Sequence, residues 1–356
     1  MYSMPGAFCQ NVSAKLLNAP RPLAKMGGRT MKGLEKTVSA RNRMFLLRVE
    51  TSREPSDYQM YEDLRDEIWD FPEDHLAGTR NMMCENVFHE GGSLFIGAFV
   101  ESPGGGFAID GDHLVGFCYG FVGVRDKEIG FRDRSNLRFY SQYTGVRPAF
   151  QSHGLGILLK EFQREAILDI LGVSTVICTY DPLTSVNAHR NIHHFGMEVL
   201  EYRVATYGEY GGLLNRLDVP TDRFLMSWDL EKRAGKGKPA HDFDGALSAP
   251  PPIRAGLRHV AGKTAKIELE VAEGTELNMT GDPLLVRIPL DFYRMLQETD
   301  VGDPEVRRIP VDWRLATREV FQGLFARGYR VIDFLRAEGR VSANYYVLSR
   351  SIPPSR

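Results

Sequence analysis

Apolar residues along this chain occur in two kinds of run, which predict two kinds of element. Short runs rich in Val, Ile, Phe and Tyr, bounded by turn-forming residues, predict β-strands. Longer stretches in which apolar positions recur every three or four residues predict amphipathic helices. Both kinds occur between residues 44 and 230, which favours a mixed α/β domain. The predicted strands cover residues 44–50, 93–101, 113–124, 137–146, 173–180, 196–208 and 222–230, and the predicted helices cover residues 56–69, 78–91 and 155–170.

The helix that follows strand 137–146 has the most regular pattern. Its charged residues Lys160, Glu161, Arg164 and Glu165 are expected to lie in solvent, and the opposite face is expected to pack on a sheet. The apolar stripe on that face consists of Leu155, Leu158, Leu159, Phe162, Ala166 and Ile170.

The next run, "VSTVICTY" at 173–180, is apolar on both faces. This pattern predicts a central strand that is covered on both sides and lies parallel to strand 137–146. The two strands and the helix between them would then form one β-α-β crossover.

Three further segments differ in composition from this domain. Residues 1–43 carry eight basic residues against the single acid Glu35, so they predict a poorly ordered basic extension. A transit sequence, an electrostatic tether and an over-called start are the alternatives. Residues 231–262 have the Gly, Pro and charge content of an exposed linker. Residues 263–356 combine strand and helix patterns and predict a small α+β unit.

Charge and cysteine content narrow the class of protein. The net charge of -2 gives no overall attraction to nucleic acid or membranes. No apolar stretch approaches the roughly 20 residues that span a bilayer. Cys9, Cys84, Cys118 and Cys178 lie far apart and predict buried thiols in a reducing cytoplasm rather than a disulfide framework or a zinc site.

The segment Gln151–Gly156 enters the helix at 155–170 and is a candidate anion site. A helix start exposes free N–H groups, and glycines let a phosphate approach the main chain. The two glycines could instead serve close packing of helix and strand.

Gly154-x-Gly156 also matches part of a dinucleotide fingerprint, with Asp181 as the ribose contact, but Leu159 stands where the third glycine belongs. No Walker A loop is present, because Gly-Lys-Ser/Thr does not occur.

A family resemblance rests on this region. The run Val146-x-Pro148-x-x-Gln151-x-x-Gly154-x-Gly156-x-x-Leu159 resembles the acyl-CoA-binding motif of the GNAT superfamily of N-acyltransferases, over roughly residues 44–230. The string "TYDPLTSVNAHRNIHHFG" further resembles a poorly characterised bacterial branch of predicted acetyltransferases. The resemblance implies a mixed sheet whose parallel fourth and fifth strands, 137–146 and 173–180, splay apart.

The resemblance also implies how an acyl-CoA co-substrate binds. The pantetheine arm would lie between the splayed strands, its diphosphate would lie on the N–H groups at the helix start, and a residue of the following helix would contact the cofactor. The implied contacts are Thr144, Gly145, Val146, Gln151, Ser152, His153, Gly154, Leu155, Gly156 and Asn187.

Direct attack of an amine on a thioester needs a base, an oxyanion donor and an acid for the leaving thiolate. The oxyanion donor is expected to be a main-chain N–H near Val146. Many family members carry the acid, a tyrosine, four residues before the glycine that is here Gly196, and this chain has Ile192 there. His193, Tyr180 and Asp181 are the candidate catalytic residues in its place.

Other polar residues in this region allow weaker hypotheses. His189 and His193 share a helix face, but two ligands do not make a metal site, so no metal is expected. Candidates for the acceptor pocket are Tyr140, Gln142, Glu209 and Tyr210.

These observations favour an acyl-CoA-dependent N-acyltransferase, acetyl transfer being expected, that acts on a small-molecule amine. The first alternative is a non-catalytic CoA-binding or regulatory module, because the usual acid is missing. The second is an interaction role of the basic extension on nucleic acid or anionic lipid, against which stands its lack of interleaved aromatic residues.

Overall fold

The structure is a computed structural model, and several of the sequence predictions fall outside the part of the chain that it describes. These are the helix at 78–91, the thiols of Cys9 and Cys84, the acceptor candidates Glu209 and Tyr210, and most of the basic extension. The described residues are 34–52, 54–69, 92–208, 211–212, 214–232, 244–337 and 342–351.

An eight-stranded mixed sheet forms the centre of the fold. Its spatial order is β1-β2-β3-β4-β5-β6-β8-β7, and every neighbouring pair except β5 and β6 is antiparallel. The strands are β1 (Glu35–Ala40), β2 (Arg43–Val49), β3 (Ser93–Val100), β4 (Leu114–Val124), β5 (Leu137–Val146), β6 (Thr175–Tyr180), β7 (Glu198–Arg203) and β8 (Arg223–Asp229).

Two helices flank this sheet on opposite faces, and further helical segments follow along the chain. Helix α1 packs aromatic side chains such as Tyr61 on Phe95 and Phe117, whereas α2 buries its apolar stripe against the other face. Both α2 and α3 continue into wider π-helical turns, over Ile167–Leu171 and His189–His194. The helices are α1 (Pro55–Trp69), α2 (Leu155–Ala166), α3 (Ser185–Ala188), α4 (Asp244–Ser248), α5 (Phe292–Glu298) and α6 (Pro304–Ala326).

The parallel pair β5 and β6 confirms the GNAT-like arrangement that the resemblance implied. These strands are the predicted fourth and fifth strands, preceded in the chain by one strand more than predicted. They pair at only two positions, Phe139 with Val176 and Tyr140 with Ile177. Beyond Tyr140 the two strands separate, which leaves a gap within the sheet.

Two strands lie where the sequence predicted irregular chain. Strand β1 lies inside the expected poorly ordered extension. It is ordered because it pairs along its whole length with β2. Strand β9 (Ile253–Ala261) lies inside the expected linker and pairs with β10 (Lys266–Thr275). The boundary placed at residue 230 stays a prediction.

Two burial predictions were wrong. Lys160 was expected in solvent, but it is buried, because its position on α2 directs it toward the gap between β5 and β6. Strand β6 was expected to be covered on both sides, but only Val176, Cys178 and Tyr180 are buried. The alternate residues are half-buried, as in a strand with one open face.

The elements after residue 252 form an α+β C-terminal unit, and its predicted start at residue 263 stays a prediction. It contains the β9–β10 pair and a three-stranded sheet of order β11-β13-β12, formed by β11 (Leu284–Ile288), β13 (Ala343–Ser349) and β12 (Arg330–Ala337). Its aromatic side chains join the core of the large sheet, since Phe321 and Tyr346 both pack on Phe224.

Two ion pairs connect α6 to the large sheet. The Arg314 guanidinium donates to both carboxylate oxygens of Asp181, at the end of β6, and neither residue is exposed. One turn later Arg318 donates to both oxygens of Asp222, at 2.8 Å each. Asp222 also accepts from the Tyr202 hydroxyl and the Ala205 N–H. The C-terminal unit is therefore held through buried charge as well as apolar packing.

No helix among the described residues combines the length and the apolar character needed to cross a membrane.

Replacement of Arg318 by Met should lower the free energy of unfolding by about 3 kcal/mol, because the variant leaves the Asp222 carboxylate buried without its guanidinium. The matched control is Arg308→Met on the same helix. Arg308 is 70% exposed and pairs with Asp312, so its loss should cost less than about 1 kcal/mol. Urea unfolding of both variants measures the difference, and equal losses would contradict the assigned role of the Arg318 pair.

Candidate active site

A cavity of about 380 Å³ occupies the gap between β5 and β6. Residues of β5 and β6 line it, together with parts of α1, α2, the helical segment 185–194 and α5. The residues that line the cavity include Trp69, Tyr140, Ser141, Gln142, Tyr143, Thr144, Lys160, Cys178, Thr179, Tyr180, Asp181, Asn187, Arg190, Tyr207, Arg223 and Tyr293. The sequence placed several of these around one site, and the structure brings them together.

The start of α2 has an open main chain. Gly154 adopts a left-handed conformation with φ of 82°, and Ser152 one with φ of 60°. A Cβ added at Gly154 would meet no heavy atom within 4 Å outside the neighbouring residues, so the space beside Gly154 is open. Among the described residues, none accepts a hydrogen bond from the N–H groups of His153, Gly154, Leu155 or Gly156. The helix start thus presents free donors and the positive end of the helix dipole.

Side chains of the preceding turn fix its shape. Gln151 Nε2 donates to the Val146 carbonyl oxygen at 2.9 Å, which ties the turn back to the end of β5. His153 Nδ1 lies 2.5 Å from the Gln151 carbonyl oxygen. Both side chains are therefore used to hold the turn, and the main-chain N–H groups of residues 153–156 remain available as donors.

The C-terminal half of β5 forms one edge of the gap. Thr144, Gly145 and Val146 pair on their other side with β4. Gly145 lies against α1, where an added Cβ would come within 2.5 Å of Trp69 Cη2. A register shift in the β4–β5 ladder leaves Gln142 as a bulged residue that lines the cavity. Bulges locally free main-chain groups from the ladder.

Asn187 and Arg190 lie on the other side of the gap, after β6. Arg190 Nη2 donates to Asn187 Oδ1 at 2.8 Å. Arg190 Nη1 would lie 3.6 Å from a Cβ added at Gly156, so the guanidinium is next to the start of α2. Burial lowers the pKa of Arg190. Sequence reasoning selected Asn187 but missed Arg190, although the two are one helical turn apart.

Two of the three candidate catalytic residues line the cavity, but both already have partners. Burial raises the pKa of Tyr180, whose hydroxyl lies 3.1 Å from that of Tyr346. The Asp181 carboxylate, predicted as a catalytic group, is neutralised by Arg314, and Arg223 lies 3.5 Å from it. The sequence could not show these contacts, because Asp181 and Arg314 are 133 residues apart.

The third candidate, His193, lies outside the cavity lining. Its Nδ1 is 3.0 Å from Asp333 Oδ1 in the C-terminal unit, its ring stacks on His189, and its side chain is 48% exposed. Ile192, at the position of the usual acid, is buried. No group of three His, Cys, Asp or Glu side chains within the described ranges is arranged to hold a metal ion.

A chain of hydroxyl groups crosses the gap near the point where the strands separate. The Tyr207 hydroxyl lies 3.1 Å from that of Tyr140, on β5, and 2.5 Å from Thr179 Oγ1, on β6. Burial, followed by the hydrogen bond to Tyr207, raises the pKa of Tyr140, so this phenol stays protonated. Sequence reasoning selected Tyr140 as a pocket residue but missed its two partners.

Lys160 reaches the closed end of the gap from the α2 side. Its Nζ donates to Ser141 Oγ at 2.9 Å and to Gln163 Oε1 at 2.6 Å. Burial lowers the pKa of this lysine. The sequence did contain a signal for the position of Lys160. Gly156, Lys160 and Gln163 are spaced four and three residues apart, so they lie along one face of α2.

Solved structures similar to this chain include three acetyltransferase structures. The Arabidopsis thaliana NAA60 complex with acetyl-CoA is 12% identical and aligns with 53% of this chain and 99% of its own, with a TM-score of 0.38. Mutant forms of the spermidine/spermine N-acetyltransferase SpeG from Vibrio cholerae are 15% identical and align with 53% of this chain and 96% of their own, with a TM-score of 0.35. An acetyltransferase of the GNAT family from Streptococcus pneumoniae is 16% identical and aligns with 51% of this chain and 97% of its own, with a TM-score of 0.36. No family model and no curated protein matches the chain.

Replacement of Gly145 by Ala should destabilise the fold by about 1–3 kcal/mol, because the new methyl group would overlap the Trp69 ring. Gly123→Ala on the neighbouring strand is the matched control, since a Cβ there meets nothing within 4 Å. Thermal unfolding of the two variants tests whether Gly145 is needed for this close packing. A Gly145→Ala protein as stable as the control would contradict it.

Proposed function

We propose that this protein is an acyl-CoA-dependent N-acyltransferase, in which an amine attacks the thioester directly and takes up an acyl group, most simply acetyl. The observation that carries the proposal is the open helix start at Gly154 beside a gap in the sheet. Free main-chain donors at a helix start suit a diphosphate, and a slot between parallel strands suits a linear arm.

The cofactor would extend from the start of α2 toward the point where β5 and β6 separate. In this arrangement the N–H groups from Ser152 to Gly156 hold the diphosphate, and the β5 edge from Thr144 to Val146 pairs with the pantetheine amides. Arg190 adds a positive charge beside Gly156, and Asn187 orients its guanidinium. The thioester then lies near Ser141 and Cys178, where the gap closes.

The acceptor would approach from the face of the sheet opposite α2. Side chains alternate along a strand, so Tyr140 lies on the face opposite Ser141, which bonds to residues of α2. Trp69, Tyr143 and the Tyr140–Tyr207 pair provide an aromatic wall there. Main-chain N–H groups near Val146, or at the Gln142 bulge, are candidate oxyanion donors.

The second candidate function is a non-catalytic acyl-CoA-binding module. It is favoured by Ile192 at the position of the usual acid and by the contacts of Asp181 and His193 with the C-terminal unit. In that case the cofactor binds as described above, and no transfer follows.

Replacement of Gly154 by Ala should weaken acetyl-CoA binding at least about tenfold, because the new methyl group would project into the open space expected for the diphosphate. Calorimetric titration measures this affinity. Gly106→Ala is the matched control: Gly106 also has a positive φ, of 78°, and open space around its Cβ position, but it lies in the β3–β4 turn. Equal affinities in the two variants would rule out the diphosphate site.

Thiol release from acetyl-CoA in the presence of a panel of small amines separates the two candidate functions. The N-acyltransferase predicts amine-dependent release of CoA, measured with a thiol reagent. Calorimetric binding without release for any amine of the panel would favour the binding module.

A further inference from the structure

Lys160 has a buried side-chain amine whose hydrogen-bond partners are all neutral. Its side chain is only 3% exposed. Nζ donates to the Ser141 hydroxyl and the Gln163 amide oxygen, and no carboxylate within the described ranges forms an ion pair with it. An ammonium has three N–H donors, so one remains for a ligand.

The position of Lys160 is set by the divergence of the strands. Ser141 and Cys178 directly follow the last paired residues, Tyr140 and Ile177. Both line the cavity together with Lys160. The ammonium therefore lies where the gap closes, on the α2 side, whereas the Tyr207 hydroxyl chain lies on the other side.

The charged and titratable groups that face Lys160 do not compensate its charge. They are the thiols of Cys118 on β4 and Cys178 on β6, and the Arg190 guanidinium, which adds a second positive charge. Burial raises the pKa of Cys118 to about 12 and also raises that of Cys178, so both thiols stay neutral. From β8 the Trp228 ring lies 5.8 Å from Nζ.

An unpaired buried charge is unfavourable, and an apolar side chain of the same length would be better accommodated. A ligand that brings negative charge to this point of the cavity would therefore stabilise the protonated form of Lys160. Among the described residues that line the cavity, the one carboxylate is that of Asp181, which is already held by Arg314.

We propose that Lys160 donates the proton to the departing CoA sulfur, in place of the tyrosine that Ile192 replaces. This inference rests on the proposed acyltransferase function. When the tetrahedral intermediate collapses, the C–S bond breaks, its electron pair goes to sulfur, and an Nζ–H proton passes to the sulfur. The attacking amine releases one proton on forming the amide, and Lys160 regains one from solvent after CoA leaves, so the overall reaction consumes none.

The arrangement separates the two proton transfers. The amine approaches from the Tyr140–Tyr207 face, and the thiolate leaves toward α2. Tyr180 and His193, the alternative acids, have partners in the C-terminal unit, Tyr346 and Asp333 respectively.

The direct test is the titration of the bound CoA thiol, which requires no acceptor. Calorimetry of CoA and of desulfo-CoA, which lacks the thiol, is repeated across a pH series on the wild-type protein and on Lys160→Met. With the ammonium beside the sulfur, the wild-type protein should prefer CoA increasingly as the pH rises and the thiolate forms. Lys160→Met should bind desulfo-CoA normally and lose this pH-dependent preference.

Two further variants separate charge, proton donation and structure. Lys160→Arg keeps the charge but its guanidinium does not release a proton, so it should retain the thiolate preference and lose roughly a hundredfold in single-turnover transfer from acetyl-CoA. Lys160→Met should be at least as stable to heat as the wild type, whereas a purely structural lysine would leave the variant destabilised. Lys263→Met, at an exposed lysine of the C-terminal unit, is the control for loss of a positive charge.

The outcomes distinguish this inference from the proposed function. Failure of the wild-type protein to bind either nucleotide would overturn the proposed function and the role of Lys160 with it. Binding with the same thiol preference in wild type and Lys160→Met would overturn the role of Lys160 alone. If Lys160→Met does not fold, Lys160→Gln, which keeps a hydrogen-bond donor without the charge, takes its place in the same titration.

Discussion

The early separation of β5 and β6 is the constraint on which the site depends. A parallel pair in the middle of a sheet normally continues to the ends of both strands, because main-chain groups left unpaired in the interior cost free energy. Here pairing stops after Tyr140 and Ile177. Polar side chains border the opening on both faces, with Lys160 and Ser141 on one and Tyr207 on the other. A slot of this kind leaves hydrogen-bonding groups of the β5 edge available to a ligand.

The C-terminal unit contributes to this site as well as to the core. Arg314 neutralises the carboxylate at the end of β6, Tyr346 contacts the Tyr180 hydroxyl, and Tyr293 lines the cavity. Asp181 and Tyr180, which the sequence suggested for catalysis, are therefore already bonded to residues of the C-terminal unit. Because those groups are used to connect the two parts of the chain, we assign the proton donor for the leaving sulfur to another residue of the cavity, Lys160.

Local patterns predicted the large sheet well and the charged contacts poorly. The strands of the sheet other than β1, and helix α2, follow from short-range periodicity, and the open turn at Gly154 follows from its glycines. Strand β1 was missed because the basic residues around it outweighed its short alternation, and β9 because neighbouring Gly and Pro suggested a linker. Lys160 was misplaced because a lysine on a helix is by default assigned to solvent. Its burial depends on the divergence of two strands, which local periodicity does not encode.

The central claim is that the open start of α2 and the β5–β6 gap together bind an acyl-CoA. A crystal structure of the protein with CoA tests this most directly. The account predicts the diphosphate on the main-chain N–H groups between Ser152 and Gly156, the pantetheine along Thr144–Val146, and the sulfur near Lys160. A nucleotide bound elsewhere, with the gap between the strands left empty, would contradict it.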